Sequence, residues 1–132
     1  HVQGSFTYQN DKADPDINPT VVPHTMLKLG TAYTWEWGSA AVFWSHFGTP
    51  PRIASPVTGN PKPEAQDLLS LNVRLDVSKY MGMDKGRSIL TLRGENLLDE
   101  DIHVPTMAYA GYPNSLPNGA GRTFYGGLEI HF

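Results

Sequence analysis

Residues 69–78 alternate apolar and polar side chains without a break. Leucine or valine occupies every odd position of this segment, and serine, asparagine, arginine or aspartate occupies every even position. Successive side chains of a β-strand point to opposite faces of the sheet, so this period of two predicts a strand with one apolar and one polar face. No apolar stripe with helical spacing occurs anywhere in the chain, which predicts an all-β fold.

Other segments show the same period with more interruptions. In one of them, residues 39–47, alternation alone does not show which set of alternate residues lies on the apolar face. Val42 and Trp44 share one parity there, whereas Phe43 and Phe47 share the other. The strands predicted from alternation cover residues 2–9, 25–35, 39–47, 68–78, 88–95 and 122–132.

The connections between these strands differ in length in a regular order. All eleven prolines lie in residues 10–23, 48–66 and 97–121, which mark three long connections. Residues 36–38 and 79–87 form two short ones. In an antiparallel up-and-down meander of about six strands, this order places all long loops at one end and all tight turns at the other. Transmembrane β-barrels have this asymmetry, and a soluble β-sandwich has no need of it.

The charged residues well inside the predicted strands all occupy the alternate positions that the polar residues occupy. An arginine or lysine facing lipid at mid-membrane costs roughly 2–4 kcal/mol, so this sorting is expected of a barrel wall. A sheet packed on a soluble core sorts its charges equally well, and parity alone leaves both architectures open. The polar residues that a barrel would direct into its lumen are Lys28, Arg74, Asp76, Arg93, Glu95, Glu129 and His131.

Aromatic residues concentrate near the strand ends, while leucine, valine, isoleucine and glycine occupy the strand centres. Aromatic rings are favoured at the level of lipid headgroups, so two rings of aromatic residues indicate two membrane interfaces. The aromatics expected near the short turns are Tyr33, Trp35, Trp37, Tyr80 and Phe132. Those expected near the long loops are Phe6, Tyr8, Phe47 and Phe124.

Composition excludes several other classes of protein. No run approaches the roughly 18 apolar residues of a membrane helix. The net charge of −3 and the scattered basic residues make nucleic acid an unsuitable partner. The chain has no cysteine, and its five histidines fit no metal-binding motif, so we expect no metal, no cofactor and no catalytic residue. The sequence starts at His1 without a methionine or secretory signal, which suggests a fragment or a processed product.

Two stretches near the end of the chain carry a family resemblance. LTLRGENLLDEDIH at residues 90–103 and GRTFYGGLEIHF at residues 121–132 resemble the C-terminus of TonB-dependent outer-membrane receptors. VPHTMLKLGTAYTW at 22–35 and DLLSLNVRLDVSKY at 67–80 look like earlier strands of the same family. Asn96, Leu97 and Asp99, followed by a strand that opens with Gly-Arg and closes on Phe, are the matching positions.

The resemblance implies a role in transport at the outer membrane of a Gram-negative bacterium. In that family a 22-stranded barrel surrounds a plug, which contacts TonB, and imports iron-siderophores, cobalamin or other scarce nutrients. The chain then forms the C-terminal barrel segment, without plug or TonB-contact segment, and is not an enzyme. Its partners would be outer-membrane lipid, the remainder of the barrel and plug, TonB through the plug, and a small-molecule substrate.

Two further sets of residues have roles in this interpretation. The closing octet resembles the terminal signal that the barrel-assembly machinery reads, with Tyr125, Gly127, Ile130 and Phe132 as its matching residues. Candidate contacts between the loops and a substrate are His103, Tyr109 and Tyr112. The alternatives are a soluble extracellular β-sandwich that binds ligands through its loops, and a smaller porin-like barrel.

Overall fold

The protein is all-β. The computed structural model describes residues 1–10, 23, 25–49, 64–78, 80, 82, 86–105, 115–117 and 119–131. Within these residues no helix is long and apolar enough to span a membrane. The strands are β1 (Val2–Asn10), β2 (Thr25–Trp35), β3 (Gly38–Phe47), β4 (Gln66–Asp76), β5 (Arg87–Glu95), β6 (His103–Pro105), β7 (Ser115–Pro117) and β8 (Thr123–His131).

Six of the strands form one antiparallel sheet in the order β1-β2-β3-β4-β5-β8. The prediction of an up-and-down meander of six antiparallel strands is therefore confirmed. The bounds of these strands lie within two residues of the bounds expected from alternation. β6 and β7 form a separate two-stranded sheet within the connection from β5 to β8.

That small sheet corrects the sequence prediction, which treated residues 96–121 as a connection without strands. The prolines of this region argue against strands, because proline cannot donate to a strand ladder. Pro105 ends β6 and Pro117 ends β7, where they are paired with Ser115 and His103 respectively. Proline is tolerated at strand ends and edges, so a short hairpin can form in a proline-rich connection.

The first tight turn joins β2 to β3 through residues 36–37. Gly38, which follows it, is packed closely against the neighbouring strand and the preceding tryptophan. A Cβ atom at this position would lie 2.7 Å from the carbonyl oxygen of Arg74 and 2.8 Å from Cζ2 of Trp35. Glycine is therefore required for β3 to approach β4 directly after the turn.

The second turn ends β4 at Asp76, two residues earlier than predicted. The Asp76 carboxylate accepts a hydrogen bond from the backbone N–H of Ser78 at 3.1 Å. The Ser78 hydroxyl in turn accepts one from the N–H of Ser88 at 2.9 Å, and Arg87 Nε lies 3.2 Å from Asp76 Oδ2. Aspartate favours turns because its side chain can satisfy a backbone donor two residues ahead, and this interaction ends the alternating segment here.

The strands are staggered across the sheet. Val2 is the first residue of β1. Following the directly paired residues from Val2 across all six strands leads to Gly126 in β8. Beyond that row, β8 continues to His131. A progressive offset of this kind is what strands acquire when they tilt with respect to the axis of a curved sheet.

Very little of the described chain is buried. Among the described residues, Ile89 is the only buried large hydrophobic residue, at 3% exposure, and the buried polar residues are Ser88 and Asn96. A soluble domain normally buries a continuous apolar core between two packed layers. The six-stranded sheet is instead a single layer over the residues that the structure describes.

Asn96 closes the neck of the long connection from β5 to β8. Its side chain donates hydrogen bonds to the carbonyl oxygens of Glu100 at 2.8 Å and Ala120 at 3.3 Å, and accepts one from Glu100 N–H at 3.0 Å. Asn96 has a φ of 48°, a left-handed conformation that asparagine tolerates better than most residues. One buried side chain thus joins both ends of the connection.

Asp99 strengthens the same neck. It also has a positive φ, 62°, and its carboxylate accepts a hydrogen bond from the Arg122 backbone N–H at 2.8 Å. Gly121 lies against it, since a Cβ at Gly121 would be 3.0 Å from Asp99 Oδ1. The two sequence stretches 96–99 and 121–122 are therefore in direct contact at the start of β8.

We predict that Asn96→Ala lowers the free energy of unfolding by about 1–3 kcal/mol, because it leaves buried polar groups without partners. Leu98→Ala in the same turn is the control. Leu98 is an exposed residue, and its truncation should change stability by less than about 0.5 kcal/mol. Urea titration followed by tryptophan fluorescence measures both. Equal effects of the two substitutions would show that the Asn96 hydrogen bonds do not stabilise the fold.

Candidate functional site

The strand register places most of the larger apolar residues of all six strands on one side of the sheet, here called the apolar face. Directly paired residues of neighbouring antiparallel strands share a face. Val42 of β3, for example, is paired with Leu71 of β4. The larger apolar residues of this face are Val2, Phe6, Tyr8, Leu27, Leu29, Tyr33, Trp35, Val42, Trp44, Leu69, Leu71, Val73, Leu75, Leu90, Leu92, Phe124, Leu128 and Ile130.

The register also resolves the phase of β3. Trp44 is paired with Leu29 on one side and with Leu69 on the other, so Val42 and Trp44 lie on the apolar face. Phe43 and Phe47 then lie on the opposite face. The sequence alone could not decide this, because both parities of β3 carry apolar residues. The neighbouring strands β2 and β4 decide which face Val42 and Trp44 occupy, because the larger apolar residues of each lie mainly on one face.

The apolar face is open to its surroundings. Phe6 is 68% exposed, Phe124 is 70% exposed and Leu128 is 54% exposed. Isolated exposed hydrophobic residues are common, whereas a contiguous apolar surface across several strands indicates an interaction site or a membrane-facing surface. No second sheet of comparable size covers this face within the described part of the chain.

At its loop end the apolar face stops at a polar pair. Nδ1 of His46 lies 3.0 Å from Oδ1 of Asp67, and both side chains are partly exposed. The imidazole stacks on Trp44 with ring centroids 6.0 Å apart. This pair is not apparent from the sequence pattern. Once the phase of β3 is known, direct pairing of His46 with Asp67 follows from the register.

At the turn end the apolar face stops at a group of aromatic rings. The ring centroids of Tyr33 and Trp35 are 5.7 Å apart in a stacked arrangement, and those of Trp35 and Trp37 are 5.3 Å apart and nearly perpendicular. Tyr33 and Trp35 lie on the apolar face, as expected of a ring of aromatics near the turns. Tyr80 is exposed in the second turn, and Phe132 lies outside the described residues.

One member of the aromatic set expected near the loops is on the other face. Phe47 is paired with Met26 and Gln66, and Nζ of Lys28 lies 6.0 Å from its ring centroid. Phe47 thus lies near the loop end, as expected, but on the face opposite to Phe6, Tyr8 and Phe124. On the apolar face, Trp44 lies near the loop end together with those three residues.

The opposite side of the sheet, here called the polar face, carries every residue that was predicted to face a lumen. Pairing across the sheet connects Lys28 with Thr7 and Ser45, and Arg93 with Asn72 and Tyr125. The predicted residues on this face are Lys28, Arg74, Asp76, Arg93, Glu95, Glu129 and His131.

Most charges of the polar face are paired within the sheet. Arg93 pairs with Glu95, and Nε2 of His131 lies 2.7 Å from Oε1 of Glu129. These groups are well exposed, so each pair contributes on the order of 0–1 kcal/mol to stability. Each pair joins two residues that are two positions apart on one strand, β5 or β8.

The β1–β3 half of the polar face is almost uncharged and contains one close packing contact. The Phe43 ring lies over Gly30, where a Cβ would be 2.8 Å from Phe43 Cδ1 and 2.6 Å from Ser5 Oγ. An aromatic ring placed over a glycine of the neighbouring strand covers backbone that would otherwise face solvent. Gly30 is therefore a packing position on this face.

The loop candidates are only partly described. His103, in β6, is half-buried, and its carbonyl oxygen accepts a hydrogen bond from Nε2 of Gln66 at 3.0 Å. This bond ties the small β6–β7 sheet to the beginning of β4. Tyr109 and Tyr112 lie outside the described residues.

The residues assigned to an assembly signal are distributed over both faces of β8. Tyr125 and Gly127 are on the polar face, and Ile130 is on the apolar face. β8 is an edge strand of the sheet, as is β1. Edge strands leave a row of backbone N–H and C=O groups available for pairing with another strand.

The described residues offer no group of three or more histidine, aspartate or glutamate side chains that could hold a metal ion. Comparison of the chain with protein-family models, curated proteins and solved structures finds no match.

We predict that Gly30→Ala lowers the free energy of unfolding by about 1–3 kcal/mol, because the added methyl group forces Phe43 and Ser5 to move. Gly127→Ala is the matched control on the same face, since a Cβ there meets no atom within 4 Å. Alanine should be neutral or stabilising by about 0.5–1 kcal/mol at that position. Urea titrations of both variants test the contact, and equal destabilisation would contradict it.

Proposed function

We propose that this sheet is part of the wall of a transmembrane β-barrel in the outer membrane of a Gram-negative bacterium. The barrel belongs to a TonB-dependent receptor that imports an iron-siderophore or another scarce nutrient. In this proposal the apolar face contacts lipid, the polar face borders the lumen, and the long connections are extracellular loops. The chain contributes wall and loops to transport and carries out no chemical reaction.

The observation that carries this proposal is the exposed apolar face. It runs from β1 to β8 in a single register, and no sheet of comparable size covers it in the described part of the chain. Burying one leucine or phenylalanine is worth about 1.5–3 kcal/mol, so a surface of this extent requires an apolar environment. Lipid acyl chains supply such an environment along the whole strand length.

The ends of the apolar face support the same proposal. Stacked tyrosine and tryptophan rings at the turn end, and Trp44 beside the His46–Asp67 pair at the loop end, have the amphipathic character preferred at lipid headgroups. Leucine and valine fill the middle of β4. This change from polar to apolar and back along the strand matches the change in polarity across a bilayer.

The open edges support a larger assembly. In lipid, each backbone group without a hydrogen-bond partner costs several kcal/mol, so spanning sheets close into barrels. β1 and β8 both need a neighbouring strand, which we assign to the remainder of the barrel. The plug, TonB through the plug, and the barrel-assembly machinery complete the set of proposed protein partners.

The choice of TonB-dependent receptors among outer-membrane barrels is supported by the neck of the last long connection. The sequence stretches that carried the family resemblance, Asn96–Asp99 and Gly121–Arg122, are joined by the hydrogen bond from the Arg122 backbone N–H to Asp99, and Asn96 donates to the carbonyl oxygen of the adjacent Ala120. A local sequence pattern with a defined structural purpose is a better basis for a family assignment than separate motifs. A smaller porin-like barrel is the alternative that shares the membrane physics.

A soluble β-sandwich is the alternative from another class. It requires a second sheet of matching size packed about 10 Å from the first, with side chains interdigitating between them. The described residues provide only the short β6–β7 pair beside the main sheet. The exposure of Phe6, Phe124 and Leu128 favours the membrane proposal over this one.

Cell fractionation followed by electrophoresis of unheated samples tests the proposal. The native protein should sediment with outer membranes, require detergent for extraction, and migrate faster before heating than after it. Recovery in the soluble fraction, with no effect of heating on migration, would support the sandwich and contradict the barrel.

Arginine substitutions at two consecutive positions of β4 give a sharper prediction. Leu71→Arg, at the middle of the apolar face, should lower the free energy of unfolding in lipid vesicles by about 2–4 kcal/mol. Asn72→Arg introduces the same charge on the polar face and should cost less than about 0.5 kcal/mol. Equal costs for the two variants would show that the apolar face does not contact hydrocarbon.

A further inference from the structure

The two edges of the main sheet, β1 and β8, carry few of the features that prevent pairing with another strand. Charged residues and proline commonly protect the edge strands of natural sheets. β1 contains no charged residue and no proline, and β8 contains one acid, Glu129, and no proline. Both edges are therefore suited to pairing with a further strand.

At the β1 edge, the backbone groups that point away from the sheet belong to residues of the apolar face. His1 and Thr34 form a hydrogen-bonded pair, since Thr34 N–H donates to the His1 carbonyl oxygen at 2.8 Å and His1 N donates to Thr34 O at 2.9 Å. Such pairs alternate along an antiparallel ladder. Ser5 and the other polar-face residues of β1 therefore bond to β2, while Phe6 and Tyr8 direct their backbone groups to the open edge.

The same rule holds at the β8 edge. Ser88 of β5 is on the apolar face, and its carbonyl oxygen accepts a hydrogen bond from Val77 N–H at 2.9 Å. The apolar-face residues of β5 thus bond to β4, and its polar-face residues bond to β8. In β8, the residues that direct backbone groups to the open edge are then those of the apolar face, Gly126, Leu128 and Ile130.

The directions of the two edge strands suit them to each other. β1 runs from the turn end to the loop end of the sheet, and β8 runs the opposite way. Pairing β8 of one copy of the chain with β1 of a second copy is therefore antiparallel, and it keeps the loops of both copies at one end. Pairing β1 with β1, or β8 with β8, would place the loops of the two copies at opposite ends.

The stagger of the strands specifies the register of this pairing. In the row of directly paired residues that starts at Val2, β8 contributes Gly126 and then continues five residues toward the turn end, to His131. This offset of about one residue per strand corresponds to a strand tilt of roughly 35°, as in closed barrels. One more step of about the same size places Tyr8 of the second copy opposite Gly126, and its Phe6 opposite Leu128.

The side chains that meet in this register are complementary in size. The Tyr8 ring lies opposite Gly126, where the nearest atom to an added Cβ would be 3.7 Å away, so the ring can cover the glycine. Gly4 lies opposite Ile130 with the sizes reversed. On the polar face, Ser5 lies opposite Glu129, and its hydroxyl can donate a hydrogen bond to that carboxylate.

We propose that two copies of this chain pair edge to edge, β8 of each with β1 of the other, and close a twelve-stranded barrel. Six strands are fewer than the eight of the smallest outer-membrane barrels, so one copy cannot close on itself. Two copies leave no edge in lipid, where unpaired backbone groups are costly. This inference rests on the proposed function for the bilayer and goes beyond it in the partner: the second copy takes the place of the remainder of a longer barrel when residues 1–132 are the only polypeptide present.

A disulfide between the two edges tests the pairing, because the chain contains no native cysteine. Positions 5 and 129 would be directly opposite in a non-hydrogen-bonded pair, with Cα atoms roughly 4.5 Å apart, which is within disulfide range. Within one copy, four strands separate them. The Ser5→Cys/Glu129→Cys chain is refolded into phosphatidylcholine vesicles and oxidised with copper phenanthroline, and the products are separated by electrophoresis without reducing agent.

We expect a covalent dimer as the main product, without larger species. Each single variant alone should lose the crosslink, because the pairing brings one position of each kind together. Thr7→Cys/Glu129→Cys is the register control, with one cysteine moved by two residues on the same face. It should lose most of the crosslink, since its cysteines are then diagonal neighbours about 7–8 Å apart.

The proposal is overturned by a disulfide within one chain, by products larger than the dimer, by crosslinking of a single variant, or by a yield no higher than that of the Thr7→Cys control. Vesicles with brominated acyl chains test the proposed function separately, since they should quench the fluorescence of Trp44 on the apolar face. Without quenching, the lipid-facing wall is wrong. With quenching but no dimer, only the edge pairing is wrong.

Discussion

The register of the six-stranded sheet keeps most of its larger apolar residues on one face. A slip of one residue in any pair would turn a whole strand over, because side chains alternate between the faces. Such a slip between β3 and β4 would move Leu71 and Val73 to the polar face and Arg74 to the apolar face. Turn geometry supports the same register, since Gly38 fits tightly against β4 and Asp76 fixes the start of the second turn. The separation of the two faces, and every functional inference drawn from it, depends on this constraint.

The features that follow from the local alternation of apolar and polar side chains could be predicted from the sequence. The strict period of residues 69–78 and the placement of prolines located six strands and the order of long and short connections. The phase of β3 was not predictable, because Val42 and Phe43 are equally apolar and the choice is made by pairing with β2 and β4. The β6–β7 hairpin was missed because three-residue strands have no measurable period, and proline was read as excluding them. The ion pairs of the polar face depend on distances between side chains, which a linear pattern does not contain.

The two faces of the sheet follow different chemical rules. On the apolar face, polar groups occur mainly where the face ends, as at His46 and Asp67, and the interior is leucine, valine and aromatic rings. On the polar face, charged side chains occur within strands, and several of them lie beside a partner of opposite type, as in the Arg93–Glu95 and Glu129–His131 pairs. The Asn96 neck adds a third element, since it holds the two ends of the last long connection together. A wall between lipid and an aqueous lumen, with loops anchored at one rim, needs all three features.

The central claim is that the apolar face contacts lipid acyl chains. Nitroxide side chains placed one at a time at positions 69–75 of β4, in the protein embedded in a bilayer, test it most directly. Collision rates are measured with molecular oxygen, which concentrates in lipid, and with a water-soluble nickel chelate. The account predicts that positions 69, 71, 73 and 75 collide preferentially with oxygen, and that 70, 72 and 74 collide preferentially with the chelate or are shielded by lumen contents. Low accessibility to both reagents at the odd positions would place those side chains against another protein layer and contradict the account.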